Sequence, residues 1–316
     1  MGMHLFYLIA GTVAMVVGAD YSVRTSLKLA QRWGWPDWVA GMLLLALGTS
    51  LPELFVSLSS VAEHPHLSLG NLMGSNLFNV AVVLGACLLI KGKHRFQAES
   101  IEWPSLMPLI IGSVFVFMWF YYPPSQSSSS LFLIVLYTWV IGRSIKTKAE
   151  INDVMQNAPV TSTTRVGLMC ISGFIMLSMG AQYFLKGALG ISNTFGWNDG
   201  FAGFMLAAIG TSLPELLTSI FALKLGRAQA VFGNVIGSNA FNLLITGGIV
   251  GLFTHEKFDD DISLFMLFAN LGATLLLVGP KLMNNLRVPN PRQLHALIGL
   301  ILLVGYVLVI KHAYTL

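Results

Sequence analysis

A nine-residue stretch occurs twice in this chain, and it constrains the fold more than any other feature. Residues 46–54, ALGTSLPEL, return at 208–216 as AIGTSLPEL, with a single Leu/Ile change. A second block keeps the same order: residues 70–79, GNLMGSNLFN, return at 233–242 as GNVIGSNAFN, identical at seven of ten positions. The offsets are 162 and 163, so one residue was gained or lost in the loop between the blocks. Upstream, Gly18-Ala19-Asp20-Tyr21 aligns with Gly180-Ala181-Gln182-Tyr183, and Gly34-Trp35 with Gly196-Trp197. Two collinear blocks of this length make the chain an internal duplication.

The solvent of the two halves follows from composition. The 316 residues are 55% hydrophobic and 10% charged, where a soluble domain carries about 25% charged residues. A chain of this length cannot enclose so much apolar surface, so that surface faces lipid. Stretches of roughly the 20 apolar residues a membrane helix needs are predicted at 4–27, 36–61, 67–90, 103–122, 130–147, 165–190, 199–223, 229–253, 262–282 and 294–312. Five spans per half is an odd number, so the second half sits upside down relative to the first. Inverted repeats around a site near the bilayer midplane form a transporter architecture. The predicted fold is an all-α polytopic membrane protein, with broken helices at that site. Its ten transmembrane helices form two inverted five-helix repeats, 1–148 and 165–316, joined by a polar cytoplasmic linker at 149–164.

Charge sets the orientation. With the N-terminus outside, the inner loops and adjoining helix ends hold 15 of the 18 Lys and Arg, leaving only Lys186, Lys257 and Lys311 on the outer side. This is the positive-inside bias, so the pI near 9.1 is a topology signal and no nucleic-acid partner is expected. Glu63, Asp199, Glu256 and Asp259–Asp261 fall outside, where they could gather cations. Met1–Leu5 lacks a basic region, so no cleavable signal is expected; Cys87 and Cys170 lie inside spans and are expected to be unpaired. Pro123-Pro124-Ser125 and the serine run after it read as an exposed loop. Asp20 has no acidic twin and pairs locally with Arg24, while His64 and His66 read as solvated.

Glu53 and Glu215 are different: each sits in mid-span, at the same place in its repeat. An ionisable side chain at that depth costs about 2.5–3.5 kcal/mol or more, and no Lys or Arg lies mid-span to offset it. A cation from solution is the remaining counter-charge. Pro52 and Pro214 lack an N–H and crowd the carbonyl four residues back, which frees the carbonyls of Gly48 and Gly210, with those of Thr49 and Thr211 beside them. Freed carbonyls at membrane depth belong at a cavity or a ligand. Ser50 and Glu53 are three apart and Ser75 and Asn79 four apart, so each pair shares a helix face; Ser212 with Glu215 and Ser238 with Asn242 repeat the pattern. Carboxylate, amide, hydroxyl and carbonyl oxygens together suit a hard cation such as Ca²⁺, and the lack of His or Cys disfavours zinc, copper or iron. Gly70, Gly74, Gly233 and Gly237 permit close helix packing.

GTSLPE followed by GNxxGSNxFN, present in both halves, resembles the two signature repeats of the sodium/calcium exchanger family within the cation/calcium antiporters, and most of all its short prokaryotic members. The resemblance implies Glu53 and Glu215 as central carboxylates, with Ser50, Ser75, Ser212 and Ser238 giving side-chain oxygens. It implies Thr49 and Thr211 as backbone-carbonyl ligands and Asn79 and Asn242 as the remaining coordinating positions. Some relatives carry aspartate where this chain has Asn242, so the site here has two acids and no third, and potassium dependence is disfavoured.

The implied activity is secondary active exchange of Ca²⁺ for Na⁺. One Ca²⁺ or two Na⁺ balance two carboxylates, and the two ions exclude one another. In the family, spans 1 and 6 slide against the site-bearing core. The ions are substrates, and no cofactor or obligate protein partner is expected. A Ca²⁺/H⁺ antiporter would use the same two glutamates, because a buried glutamate can carry a proton. A passive channel fits less well with closely packed glycines, and an enzyme lacks a mid-span base for Ser50 or Ser212. The implied location is a prokaryotic plasma membrane.

Overall fold

The computed structural model describes residues 1–62, 65–90, 103–121, 126–146, 162–194, 199–253, 261–282 and 291–315. All elements among them are helical. The first half contains α1 (Gly2–Trp33), α2 (Asp37–Val39), α3 (Ala46–Thr49), α4 (Leu51–Ser60), α5 (Pro65–Phe78), α6 (Gly85–Leu89), α7 (Trp103–Tyr121) and α8 (Gln126–Ile145). The second contains α9 (Thr163–Thr194), α10 (Asp199–Lys224), α11 (Ala228–Phe241), α12 (Gly247–Phe253), α13 (Asp261–Leu282) and α14 (Pro291–Thr315). Wide π turns connect α2 to α3 (Ala40–Leu45), α5 to α6 (Asn79–Leu84) and α11 to α12 (Asn242–Thr246).

Five continuous helical stretches among the described residues are long and apolar enough to cross a bilayer: Gly2–Trp33, Ser68–Leu89, Thr163–Ile191, Ala228–Phe253 and His295–His312. The bent pair Asp37–Thr49 and Leu51–Ser60 makes a sixth if counted as one span. Shorter apolar helices at Leu106–Val116, Ser130–Ile145 and Leu267–Leu277 fall within three further expected spans. The protein is an integral membrane protein, and its surface agrees: Phe6, Val13, Leu168, Ile171, Ile301 and Val307 are each more than half exposed. In water such a surface would drive association; in lipid it is the expected exterior.

One sequence expectation is corrected. The serine run read as an exposed loop is the first turn of α8, with Ser130 fully buried. The span expected at 165–190 is matched by the apolar helical stretch Thr163–Ile191. The expected linker lies outside the described residues apart from its last three positions, as do Pro123-Pro124-Ser125, Glu63, His64, Glu256, Asp259 and Asp260.

Helices α1 and α9 lie against each other along a seam of small residues. A Cβ built on Gly18 would stand 2.7 Å from the Leu177 nitrogen, one on Gly180 2.7 Å from the Met15 nitrogen, and one on Gly173 2.9 Å from the Ser22 nitrogen. Only glycine admits backbones that close. Gly11 and Gly173, like Gly18 and Gly180, are one repeat apart in sequence, so the seam is self-complementary. Glycine also ends two helices: Gly34 (φ 68°) closes α1 with Trp35 N–H donating to the Ala30 carbonyl, and Gly226 (φ 78°) follows α10, with Arg227 N–H donating to the Ala222 carbonyl. Both are left-handed caps.

The largest apolar core gathers Leu72, Leu84, Leu109, Leu133, Val235 and Leu244. It surrounds a band of buried polar groups on α4, α5, α10 and α11. Asp20 is outside that band: Arg24 Nε donates to its two oxygens at 2.8 and 2.9 Å, with both side chains substantially exposed. Such a pair contributes about 0.5 kcal/mol, so Asp20→Asn is expected to leave the thermal midpoint within about 2 °C of wild type, as differential scanning fluorimetry would record.

Candidate ion site

The helix break in the first half occurs at Ser50, whose φ of −86° and ψ of 5° leave the helical region. Pro52 then sits in the first turn of α4, where its missing N–H costs no hydrogen bond. The segments before and after Ser50 meet at 40°. Glu53 is thereby placed in the first turn of α4, where unpaired N–H groups favour negative charge. The second half departs from the expected symmetry: α10 continues through Pro214. Thr218 Oγ1 donates to the Pro214 carbonyl at 2.8 Å, and packing against α5, α9 and α11 holds the helix in one piece. A proline withholds one N–H, but it ends a helix only where neighbours do not support continuation.

Glu53 and Glu215 are completely buried, and each is held by the opposite half. Ser212 Oγ donates to Glu53 Oε1 at 2.9 Å, and Ser50 Oγ donates to Glu215 Oε1 at 3.0 Å. Ser238 Oγ adds a third donation, to Glu215 Oε1 at 3.3 Å. The second oxygen of each carboxylate, Oε2, has no partner. No ion pair to either glutamate exists among the described residues.

The two amides follow the same rule. Asn79 Nδ2 donates to Asn239 Oδ1 at 3.1 Å, and Asn242 Nδ2 donates to Asn76 Oδ1 at 3.2 Å. The Oδ1 atoms of Asn79 and Asn242 are buried and unpartnered. Each asparagine opens a π turn, a feature that recurs at functional sites because it turns side chains out of the regular helical ladder. Four oxygens at repeat-equivalent positions thus lack donors, while every amide nitrogen beside them is engaged. A buried acceptor without a partner costs about 1–3 kcal/mol, and four of them suit a cation.

The remaining predicted ligands are also buried. Thr49 Oγ1 donates to the Leu45 carbonyl at 3.0 Å, so its hydroxyl is committed within its own helix. Thr211 Oγ1 donates to Asn71 Oδ1 at 3.4 Å and shares a hydrogen bond of the same length with Ser75 Oγ. Ser75 thus meets a threonine, whereas its repeat partner Ser238 meets Glu215. No cluster of three His, Cys, Asp or Glu occurs among the described residues.

Several supporting residues escaped the sequence reading. Asn71 Nδ2 donates to the Glu53 carbonyl at 3.2 Å and to Ser57 Oγ at 3.1 Å; Asn234 Nδ2 donates to Thr218 Oγ1 at 3.2 Å and Ser219 Oγ at 3.0 Å. These asparagines anchor the helices that carry the glutamates. Their signal was present, since both stand at the second position of the repeated GNxxGSN block.

The profile of a family described as "Sodium/calcium exchanger protein" matches residues 3–146 and 166–315. The chain belongs to the sodium/calcium exchanger family. An uncharacterized membrane protein of Methanocaldococcus jannaschii is 31% identical over 253 residues, covering 79% of this chain and 82% of its own. An inner membrane protein of Escherichia coli is 29% identical over 285 residues, covering 85% and 87%. Among solved structures, the sodium-calcium exchanger NCX_Mj soaked with Na⁺ and Sr²⁺ superposes with a TM-score of 0.75 at 26% identity, covering 98% of each chain. As a sodium/calcium exchanger family member the protein is a cation exchanger, and Na⁺ and Ca²⁺ are the ions of its family.

Proposed function

We propose that the protein is a secondary active antiporter exchanging Ca²⁺ for Na⁺ by alternating access at Glu53 and Glu215. The observation that carries this reading is the set of four unpartnered buried oxygens, Glu53 Oε2, Glu215 Oε2, Asn79 Oδ1 and Asn242 Oδ1. With hydroxyls of Ser50, Ser75, Ser212 and Ser238 and carbonyls of Thr49 and Thr211, they supply the oxygen-only environment that Ca²⁺ and Na⁺ accept. Two carboxylates balance one Ca²⁺ or two Na⁺, so filling the site with one ion excludes the other, and this exclusion couples the fluxes. The proposed architecture is ten membrane helices in two inverted repeats, 1–148 and 165–316, joined by a cytoplasmic linker at 149–164. The N-terminus is outside, and the E. coli relative's name supports a prokaryotic inner membrane. The glycine seam makes α1 and α9 one unit, which we take to slide against the site-bearing helices.

Ca²⁺ uptake into proteoliposomes tests the coupling ion. Vesicles loaded with Na⁺ are expected to accumulate Ca²⁺ without a pH gradient, and K⁺-loaded vesicles with an imposed pH gradient are not. Uptake driven only by the proton gradient would replace this reading with Ca²⁺/H⁺ exchange, in which the same buried carboxylates carry protons.

A further inference from the structure

Beyond both signature blocks, a chain of buried polar side chains runs from the site to α7 and α13. Asn242 Nδ2 donates to Asn76 Oδ1 at 3.2 Å, and Asn76 Nδ2 donates to Asn270 Oδ1 at 3.1 Å. Asn270 Nδ2 donates to Ser113 Oγ at 3.4 Å, and Ser113 Oγ meets Thr274 Oγ1 at 2.8 Å. All five side chains are at most 2% exposed. Asn270 is the single asparagine of α13, and α7 has none.

We infer that Asn270 is a positioning residue that fixes which end of the Asn242 amide faces the ion site. This rests on the reading of Asn242 as an ion ligand. The two ends of an asparagine amide are nearly the same shape and opposite in hydrogen-bonding sense, so packing does not choose between them; partners do. Asn270 offers an oxygen to Asn76 and so draws the Asn76 nitrogen toward α13. The Asn76 oxygen is left facing Asn242, and it takes the Asn242 nitrogen. Asn242 Oδ1 is then the end without a partner, available to a cation. Reversing the chain would aim an N–H at the ion instead.

Asn79 is oriented differently. Its nitrogen meets Asn239 Oδ1, and Asn239 Nδ2 donates to the main-chain carbonyl of Asn76 at 3.2 Å. A main-chain carbonyl cannot exchange ends with a nitrogen, so Asn79 keeps its orientation whatever happens at position 270. The device therefore acts on one amide of the pair.

The test is a double-mutant cycle on purified full-length protein. It reads the Na⁺ and Ca²⁺ concentrations that give half-maximal thermal stabilisation, together with the KM for Ca²⁺ uptake. Asn270→Leu leaves the Asn76 nitrogen without an acceptor and frees the chain to reverse. It is expected to raise the half-saturating concentrations about tenfold, the effect of one buried hydrogen bond lost. Asn242→Asp removes the dependence on orientation, because a carboxylate presents oxygen at both ends. In that background Asn76 turns its nitrogen to the carboxylate, and Asn270→Leu is expected to change the half-saturating concentrations less than about twofold, since an oxygen of residue 242 faces the ion whichever way Asn76 lies. An equal rise in both backgrounds, or no rise in either, would overturn the inference and leave Asn270 a packing residue. Ser113→Ala loosens the chain at its far end and leaves Asn76 its acceptor, so it serves if Asn270→Leu does not fold. It is expected to give a smaller rise, about threefold, that Asn242→Asp also cancels; no rise with this variant counts equally against the inference. A wild-type protein that responds to neither ion would instead overturn the ion-site reading itself, an outcome distinguishable because it involves no variant.

Discussion

Glu53→Gln and Glu215→Gln are each expected to lower Ca²⁺ transport by at least about a hundredfold, equivalent to about 2.8 kcal/mol, without unfolding the protein. Glutamine fills the same volume, and its oxygen can still accept the hydroxyl of Ser212 or Ser50. What changes is the other end, where the unpartnered Oε2 becomes an NH₂ group pointed at the ion. The site loses half its negative charge and gains a donor where it needed an acceptor. Stability moves the other way. Each glutamate is buried with no ion-pair partner among the described residues, and removing an uncompensated buried charge relieves a penalty. The thermal midpoint without ions is therefore expected to hold or rise, while ion-induced stabilisation disappears. A structural carboxylate would give the opposite pair of results, a lower midpoint with transport partly retained. Radiolabelled Ca²⁺ uptake and scanning fluorimetry on the same preparations separate the two.

Gly233→Val is expected to be the most damaging substitution outside the ion ligands. A Cβ at Gly233 would collide with the carbonyl of Trp38 and stand 2.9 Å from the Met42 nitrogen; one at Gly41 would stand 2.8 Å from the Asn234 nitrogen. Helix α11 thus lies backbone to backbone against the π turn Ala40–Leu45, and this contact joins the two halves of the chain beside the site. Backbone cannot move aside as a side chain can, so overpacking here is expected to cost about 3 kcal/mol or more. The fluorimetric midpoint should fall by roughly 5 °C or more, with loss of Ca²⁺ binding because Asn234 and Ser238 ride on the displaced helix. Gly142→Ala is the control. That glycine lies within α8 with nothing within 4 Å of a built Cβ, so alanine there is expected to be neutral or to stabilise by up to about 1 kcal/mol.

The site was legible in the sequence because duplication marks it twice. A mid-span glutamate is unusual, and one at the same position of both repeats singled out Glu53 and Glu215. All ten predicted ligands are buried. Spacing grouped Ser50 with Glu53, but it could not name the partner: the Ser50 hydroxyl reaches Glu215 in the opposite half. Residues on one helix face look outward together, and what they meet is set by the tertiary fold.

The same limit hid the asparagines. Asn71, Asn76, Asn234 and Asn239 stand inside the repeated blocks, yet without neighbours in view an asparagine four residues before a serine, or directly after one, has no assigned role. Proline misled by symmetry. Pro52 and Pro214 are equivalent in sequence, but one sits at a helix start and the other inside a continuous helix, because the outcome depends on the packing around each. The π turns have no composition signature, and Asn270 carries no repeat to draw attention to it.

Ca²⁺ binding to the purified protein as Na⁺ is titrated tests the central claim, that both ions occupy the same two carboxylates and exclude one another. Exclusive occupancy predicts that Na⁺ displaces bound Ca²⁺ completely, with a steepness above one because more than one Na⁺ is needed to replace each Ca²⁺. Ca²⁺ binding that persists at saturating Na⁺ would contradict it.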